Sequence, residues 1–497
     1  MITRLVGRAS LSLALTSLVF GVGWAAPLRT IVLPQREVGA QAKIKTISTD
    51  PFTNTTSQHK TEVEPDIFAF GSVEVAAFQQ GRFFDGGSSD IGWATSANGG
   101  AVWHHGSLPG ITKIQSSKNI YDRVSDPAVA FDSKHGLWLV STLPIVNVSG
   151  PIGQVPLVSS SADGLHWGNP VAVATNNGDY MDKDWITCDN WAKSPNLGHC
   201  YVEFDDVFQG DAVMMTTSAD GGKTWSTPFS VGVFGLGGQP LALPNGVVVV
   251  PYADGGGTIS SFMSKDGGKT WGNPTVIATV NTHFVNGNMR TQALPSAAID
   301  GSGRVYVTWQ DCSFRSNCNE NDIVMSTSTN GTTWSAISRI PIDPVNSSVD
   351  HFIPGFAADI ATGGTSAHLG LTYYFFPQTN CSVSSCQLFA GYVGSTDSGA
   401  SWSAPITLTP AMKVSWLANT NQGFMVGDYI GTAFSGGLAH APFAVAKAPR
   451  GSTFDEFMAT SAKGLPAFAS TLRYTSRGER PVAHPRSDRI RRYTTTI

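Results

Sequence analysis

Acidic and basic side chains recur at one kind of position in this sequence, directly before or at the start of short apolar runs. Only 14% of the residues are charged, so this placement is selective. Neighbouring carboxyl groups can divide the work of glycoside hydrolysis, one protonating the leaving oxygen and the other acting as nucleophile or base. Arginines beside them could bind an anionic group through paired hydrogen bonds. These lead-in residues are Glu62, Glu64, Asp66, Arg123, Asp126, Asp182, Lys183, Asp184, Gln239, Arg290, Asp350, His351, Asp428 and Tyr429.

A phrase that occurs six times predicts the elements that position these residues. Each copy has Ser, then Asp or Asn, then Gly, and a Trp that begins the next strand. Asp or Asn accepts hydrogen bonds from its own turn, Gly takes a positive φ, and Trp buries a large apolar area. Each copy is therefore a hairpin turn in a repeated unit of four strands. The copies begin at Ser96, Ser161, Ser218, Ser264, Ser328 and Ser395.

These phrases are Asp boxes, and the chain resembles the secreted sialidase-like β-propellers that carry them. The resemblance extends over roughly residues 43–447. It implies an all-β propeller in which the first strand of each blade lines a central channel, so that the lead-in residues converge at one face. We expect seven blades, six with Asp boxes and a C-terminal one closed by a strand near Ala42–Ser48. A ring of six blades is the alternative.

The chain divides into segments of different character. Arg4 and Arg8 precede an apolar stretch too short to span a bilayer comfortably, and Gly23-Trp24-Ala25 offers a cleavage site. We therefore expect a secreted protein without a transmembrane anchor, and a retained N-terminal anchor is the alternative. The predicted segments are a signal peptide at 1–25, a linker at 26–41, one propeller domain at 42–465 and a basic, disordered tail at 466–497.

The cysteines and the net charge restrict the partners. An even number of cysteines in a secreted chain favours disulfides, and the six fall into the local pairs Cys188–Cys200, Cys312–Cys318 and Cys381–Cys386. Because the sequence has no CxxC pair and no HExxH motif, we expect no zinc site. A Ca²⁺ ion among the axial carboxylates stays open. The net charge of −4 argues against a nucleic-acid partner, and we expect a monomer.

The resemblance also implies roles for the lead-in residues. Sialidases use a tyrosine nucleophile assisted by an acidic neighbour, so Tyr429 beside Asp428, with Glu62 or Glu64 nearby, is the candidate. Asp126 or Asp184 would be the acid. An anionic sugar would be bound by a set comprising Arg123, Arg290, Arg315, His351 and Gln239. The implied activity is that of an exo-glycosidase on terminal sugars, including anionic ones.

One family motif is missing, which keeps other functions open. Catalytic sialidases carry Phe- or Tyr-Arg-Ile-Pro before the first Asp box, and no such phrase precedes Ser96. Ser338-Arg339-Ile340-Pro341 matches three letters but follows the fifth box, so we interpret it as coincidence. The first alternative is a non-catalytic propeller that binds glycan or protein at the cell surface. The second is a metal-assisted lyase. The lead-in residues would then have structural roles, such as capping turns.

Overall fold

The computed structural model describes residues 42–175, 178, 180–468 and 478–482. The predicted signal peptide and linker, and most of the predicted tail, lie outside these residues. The described chain is all-β, and its helical elements are single 3-10 turns at Val207–Gln209, Ser316–Cys318, Gly364–Ser366 and Val414–Trp416. None of the helices in this described part is long and apolar enough to cross a membrane.

After a short strand, β1 (Ile44–Thr46), six antiparallel units follow one another, called sheets 1 to 6 here. Sheets 1 and 2 are joined into one nine-stranded sheet by the pairing of Ser88 with Val124. Sheet 1 contains β2 (Glu62–Phe70), β3 (Val73–Arg82), β4 (Ser88–Ser96) and β5 (His104–Ser107). Sheet 2 contains β6 (Arg123–Asp132), β7 (Leu137–Asn147), β8 (Pro151–Gly153), β9 (Leu157–Ser161) and β10 (Val171–Ala172). Sheet 3 contains β11 (Met181–Cys188), β12 (Cys200–Asp206), β13 (Ala212–Ser218) and β14 (Phe229–Phe234).

The next three sheets repeat the same up-and-down order. Sheet 4 contains β15 (Leu241–Ala242), β16 (Val248–Ala253), β17 (Thr258–Ser264) and β18 (Thr275–Thr279). Sheet 5 contains β19 (Ser296–Ile299), β20 (Val305–Asp311), β21 (Asp322–Ser328) and β22 (Ser338–Arg339). Sheet 6 contains β23 (Asp350–Ala358), β24 (Leu369–Phe376), β25 (Gln387–Ser395), β26 (Ile406–Thr407) and β27 (Met412–Lys413). Most of the predicted lead-in residues of sheets 1, 2, 3 and 6 lie inside the first strands, which begin at Glu62, Arg123, Met181 and Asp350.

The C-terminal unit, residues 418–466, is built differently. It begins with a hairpin of β28 (Ala418–Thr420) and β29 (Gly423–Met425). One three-stranded sheet joins β30 (Ala433–Ser435), β31 (Leu438–His440) and β34 (Leu465–Pro466). The other joins β32 (Phe443–Arg450), β33 (Thr453–Ser461) and the N-terminal β1. The predicted pairing of an N-terminal strand with this unit is confirmed by the register of β1 on β33, but the unit is two small sheets and not one sheet of four strands.

The Asp boxes have the hydrogen bonds that their composition predicts. In the fourth box, the Ser264 hydroxyl accepts from the Gly268 amide at 2.9 Å and donates to Asp266 at 2.9 Å. Asp266 in turn accepts from the amides of Lys269 and Thr270 at 3.1 and 2.9 Å. All six boxes share the bond from Gly to Ser. The Asp or Asn side chain thus holds the turn that the Gly makes possible.

Each box packs against the sheet before its own, which puts the sheets in cyclic order. The Gly268 backbone lies on Tyr201 of sheet 3, and Gly331 lies on Val249 of sheet 4. The first box follows the same rule, because Gly100 lies on His440 of β31 in the C-terminal unit. Strand β30 also contacts both β23 and β2. The C-terminal unit therefore lies beside sheet 1.

We predict that Gly268→Ala destabilises the protein more than Gly255→Ala. Both glycines have positive φ, +86° and +63°, so each alanine costs about 1–3 kcal/mol in backbone strain. A Cβ at Gly255 meets open space, whereas one at Gly268 comes within 3.0 Å of the Tyr201 ring. We expect a further loss of about 1–3 kcal/mol from overpacking. Urea unfolding of the two variants measures the difference, and equal midpoints would contradict the proposed packing of box on sheet.

The first strands of several sheets line a cavity, called the axial cavity below. Its volume is about 190 Å³, and its lining comes from β2, β6, β11, β19, β23 and β30 together with Gln239–Leu241. Most of the lining is apolar, with Phe68, Ile299 and Phe356 among its side chains. Chain segments that are far apart in sequence therefore meet here, as the resemblance predicts for first strands.

Three disulfides and a short piece of the tail complete the fold. The pairs Cys188–Cys200, Cys312–Cys318 and Cys381–Cys386 are bonded as predicted. Residues 478–482, within the predicted disordered tail, contact the sheet 5 region. The Val482 amide donates to the Ser313 carbonyl at 2.7 Å, and the Glu479 carboxylate lies 3.5 Å from the Arg339 guanidinium.

Candidate functional site

A repeated bulge in the first strands aims charged side chains at the axis. The pairing of first and second strands shifts register between Val63 and Asp66 in sheet 1, with equivalent shifts in sheets 2, 3 and 6. At the bulge, Glu64, Asp126 and Lys183 have φ of 60°, 49° and 48°. A positive φ at a residue other than glycine costs about 1–3 kcal/mol and persists where the surroundings impose it. The bulge of sheet 6 has an apolar residue in this conformation, Ile353, with φ of 50°. Three of the four strained bulge residues are therefore charged.

These residues meet in one buried ionic network, the hub cluster. Asp428 forms a two-point ion pair with Arg290, at 2.7 Å to Nε and 2.5 Å to Nη2. The Lys183 ammonium lies 2.6 Å from the same carboxylate and 3.8 Å from Asp126. One ammonium therefore separates two carboxylates. The hub cluster comprises Glu64, Arg82, Asp126, Asp182, Lys183, Arg290 and Asp428, each at most 7% exposed.

Hydrogen bonds connect Glu64 to the rest of the hub cluster. Its carboxyl accepts from the Asp428 amide at 3.2 Å and from the side-chain amide of Gln79. Gln79 also donates to Ser125 at 3.0 Å and accepts from Arg82 at 3.0 Å. The amide of Gln79 therefore holds Glu64 in place.

The hub carboxyls have opposite protonation preferences. Burial raises the pKa of Glu64 to about 8, and the nearby Asp126 charge adds to this. Burial would also raise the pKa of Asp428, but the charges of Arg290 and Lys183 outweigh it and hold the pKa below its usual range. Near neutral pH, one carboxyl is therefore mostly protonated and its neighbour is ionised. Such separation marks candidate acid and base groups.

Tyr429 lies beside the hub cluster, with its hydroxyl directed at the backbone. The hydroxyl donates to the Pro127 carbonyl at 2.9 Å, and the ring packs edge-on against Trp185 with centroids 5.1 Å apart. Burial raises the pKa of Tyr429 well above its usual value, which favours the neutral phenol. A nucleophilic role for Tyr429 stays a prediction.

The predicted binding residues do not gather in one place. Arg290 is in the hub cluster. Gln239 lines the axial cavity, and its side-chain carbonyl accepts a hydrogen bond from the Ala297 backbone amide at 2.8 Å. Arg123 is held by Asp85 at 2.6 Å and lies over the Phe83 ring. The predicted acid Asp184 is fully buried, and burial raises its pKa well above the usual value.

Arg315 and His351 belong to a second buried cluster, with Asp322, Asp343 and Arg339. Arg315 binds Asp322 at 2.5 Å and Asp343 at 3.0 Å, and Arg339 binds the same two carboxylates. The potential ligand atoms of Asp322, Asp343 and His351 lie within 4.8 Å of one another. Two guanidinium groups already neutralise the carboxylates, so these residues fit Ca²⁺ poorly. Arg339, which the sequence places in a partial match to the sialidase Arg-Ile-Pro motif, is on the outer strand β22.

Sequence reasoning missed the residues that the second strands contribute. Arg82 and Gln79 come from β3, and Glu203 and Asp205 come from β12, where Asp205 pairs with Asp182. A signal was present, because acids alternate with Val202 and Phe204 in a strand that is buried throughout. Such alternation places both acids on one face.

Comparison with known proteins agrees with this architecture. Residues 153–354 match the family described as BNR repeat-like domain. The chain has no match among curated proteins.

Similar solved structures include a protein of unknown function from Dyadobacter fermentans, with 16% identity, a TM-score of 0.45 and coverage of 70% of this chain and 98% of that one. The Hadza microbial sialidase Hz136 has 16% identity and a TM-score of 0.42, with coverage of 63% and 64%. The NanB sialidase from Streptococcus pneumoniae has 14% identity and a TM-score of 0.38, with coverage of 80% and 67%. Residues 153–354 therefore match a BNR repeat-like domain, and the six Asp-box turns recur both inside and outside this matched segment.

Proposed function

We propose that this chain is a secreted exo-acting glycoside hydrolase whose hub cluster cleaves terminal glycosidic bonds. The observation that carries the proposal is the contact between Glu64, a carboxyl that favours its proton, and Asp428, a carboxylate that Arg290 and Lys183 hold ionised. Three disulfides support an extracellular location. The cyclic order of the units supports a propeller of seven blades, with residues 418–466 and β1 as the seventh.

Each hub residue has a distinct role in this proposal. Glu64 is the general acid that protonates the leaving oxygen. Asp126 is the nucleophile or base, because its Oδ2 makes no hydrogen bond and faces the Lys183 ammonium at 3.8 Å. Asp428 positions Lys183 and Arg290. Asp126 lies close enough to Glu64 for its charge to raise the pKa of that carboxyl, so the proposed acid and nucleophile are neighbours.

The alternative is a non-catalytic propeller that binds glycan or protein. The burial of the hub cluster favours it, since ion pairs within the fold can serve structure alone.

Fluorogenic glycosides separate the two functions. We expect the folded protein to hydrolyse at least one neutral, amino or acidic glycoside, and Asp126→Asn to lower that turnover by roughly 100-fold or more. Asp220→Asn is the matched control, because Asn already occupies the equivalent position in two Asp boxes, Asn98 and Asn330, with the same turn bonds. Silence across the panel, or equal turnover in Asp126→Asn, would reject the hydrolase.

A further inference from the structure

The axial cavity has no role in the proposed hydrolysis. Its walls come mainly from the middle and the end of the first strands, whereas the hub cluster lies near their starts. In β2, Phe68 of the cavity follows Glu64 of the hub cluster by four residues, which separates their backbones by on the order of 10 Å. The cavity is therefore a second place, apart from the hub cluster, where a ligand could bind.

The cavity opens at the Asp-box end of the sheets. Two apolar side chains of its lining are exposed there, Phe70 at the end of β2 by 40% and Ile360 just after β23 by 58%. The turn after Phe70 contacts the first Asp box, because the Gly99 amide donates to the Ser72 carbonyl at 2.9 Å. A ligand would thus enter from the end opposite the lead-in residues.

Alternation along the first strands directs side chains into this space. In β11, Trp185 and Thr187 are partly exposed, whereas Ile186 between them is 1% exposed. In β19, Ala297 and Ile299 are partly exposed in the same alternating way. All four partly exposed residues line the cavity. Because successive side chains of a strand point to opposite faces, these four form its inner wall.

Most polar side chains of the lining are already hydrogen-bonded within the fold. Asp66, the only ionisable side chain among the described lining residues, is 5% exposed and accepts from the Val129 amide at 2.8 Å. Ser296 accepts from the Phe356 amide at 2.9 Å, and Thr432 donates to a backbone carbonyl at 2.9 Å. A ligand therefore meets apolar surface and no exposed countercharge.

The size and the lining of the cavity define a class of ligand. An apolar cavity of about 150 Å³ in a protein core stays dry and binds benzene or xenon, and the axial cavity has about 190 Å³. Phe68, Trp185, Phe356 and Phe434 line it, and aromatic rings favour edge-on or offset contact with another ring. We propose that the axial cavity binds a small, uncharged molecule built on one aromatic ring, which enters from the Asp-box end.

Calorimetric titration of the full chain tests this site with three probes. These are p-cresol, its charged counterpart 4-methylbenzoate, and methyl glucoside as a polar molecule with a ring of similar size. We expect the last two to bind at least about 10-fold more weakly than p-cresol, because the cavity would bury a charge or several hydroxyl groups without partners. Titration of p-cresol at several temperatures should give a negative heat-capacity change, the mark of apolar burial.

Two variants locate the binding site. Ala297→Leu should weaken p-cresol binding at least about 10-fold, because the larger side chain takes up space that the ring would fill. Thr187→Leu narrows the cavity from β11 and should have the same direction of effect, which provides a second test if Ala297→Leu does not fold. Ala336→Leu is the matched control, since Ala336 is exposed and lies outside the lining.

Each outcome bears on one part of the inference. Equal binding of 4-methylbenzoate or of methyl glucoside would overturn the apolar class of ligand. Unchanged p-cresol binding in the two filling variants, with circular dichroism confirming their fold, would overturn the location. Absence of p-cresol binding by the folded native chain would overturn the site altogether. None of these outcomes depends on turnover at the hub cluster.

Discussion

Asp428→Asn is expected to abolish turnover and to lower the free energy of unfolding by about 3–5 kcal/mol. Asp428 is fully buried and is the shared partner of Arg290 and Lys183. An asparagine amide keeps the shape of the side chain but directs N–H donors at two cations. Those cations then lack a full countercharge inside the protein. Removing one partner of a buried ion pair is strongly destabilising because it leaves the other charge uncompensated. Denaturant unfolding and the glycoside assay measure the two effects.

Asp85→Asn is the control for this variant. Asp85 also pairs with an arginine, Arg123, at 2.6 Å, but its side chain is 43% exposed. Exposed pairs contribute about 1 kcal/mol or less, so we expect a small loss of stability. If the Asp428 variant lost no more stability than the Asp85 variant, the hub cluster would not be the electrostatic centre of the fold.

Stability is expected to fall as the pH rises from about 6.5 to 8. Burial raises the pKa of Glu62 and Glu64 to about 8 and that of Asp66 and Asp182 to about 7. Because the folded state holds these protons more tightly than the unfolded chain does, unfolding releases protons in this window. Their stabilisation is complete below the unfolded pKa and is lost as the pH passes the folded pKa. Each titrating carboxyl lowers the free energy of unfolding by about 1.4 kcal/mol per pH unit.

Buried histidines oppose this trend only at lower pH. The pKa values of His283, His351 and His440 are lowered by burial, so these groups add stability with rising pH below about 6.5. Above that value the carboxyls act alone. Urea unfolding at several pH values between 6.5 and 8 measures the slope, and a flat or rising curve would contradict the predicted protonation.

The variants Glu62→Gln and Glu64→Gln test which carboxyls cause the free energy of unfolding to fall with pH. Glu62 accepts from the Met458 amide at 3.2 Å and from the Ser48 hydroxyl, away from the hub cluster, so its substitution should flatten the stability slope without moving the pH profile of turnover. Glu64→Gln should flatten the slope and also remove turnover, because the general acid is lost. In the native protein, turnover should decline above about pH 8.

The local sequence determined the elements of this fold and their chemistry. Asp266 and Gly268 specify one turn wherever the phrase occurs, because the Asp side chain and the positive φ of Gly act within a few residues. The starts of the first strands and the three short disulfide loops are local in the same way. Because Glu64, Asp126 and Lys183 all lie near the starts of first strands, the sequence alone was enough to predict that these charged residues form a site.

Only the tertiary structure decided which charges meet. Arg290 and Asp428 are 138 residues apart, and Lys183 and Asp428 are 245 apart, so no local pattern distinguishes Arg290, which joins the hub, from Arg123, which does not. Strand alternation gives the face of Asp205 but not the charges beside it, Asp182 and Lys183 of β11. The packing of the sheets against one another sets those neighbours, because electrostatic pairing in a buried site depends on distances of a few ångströms.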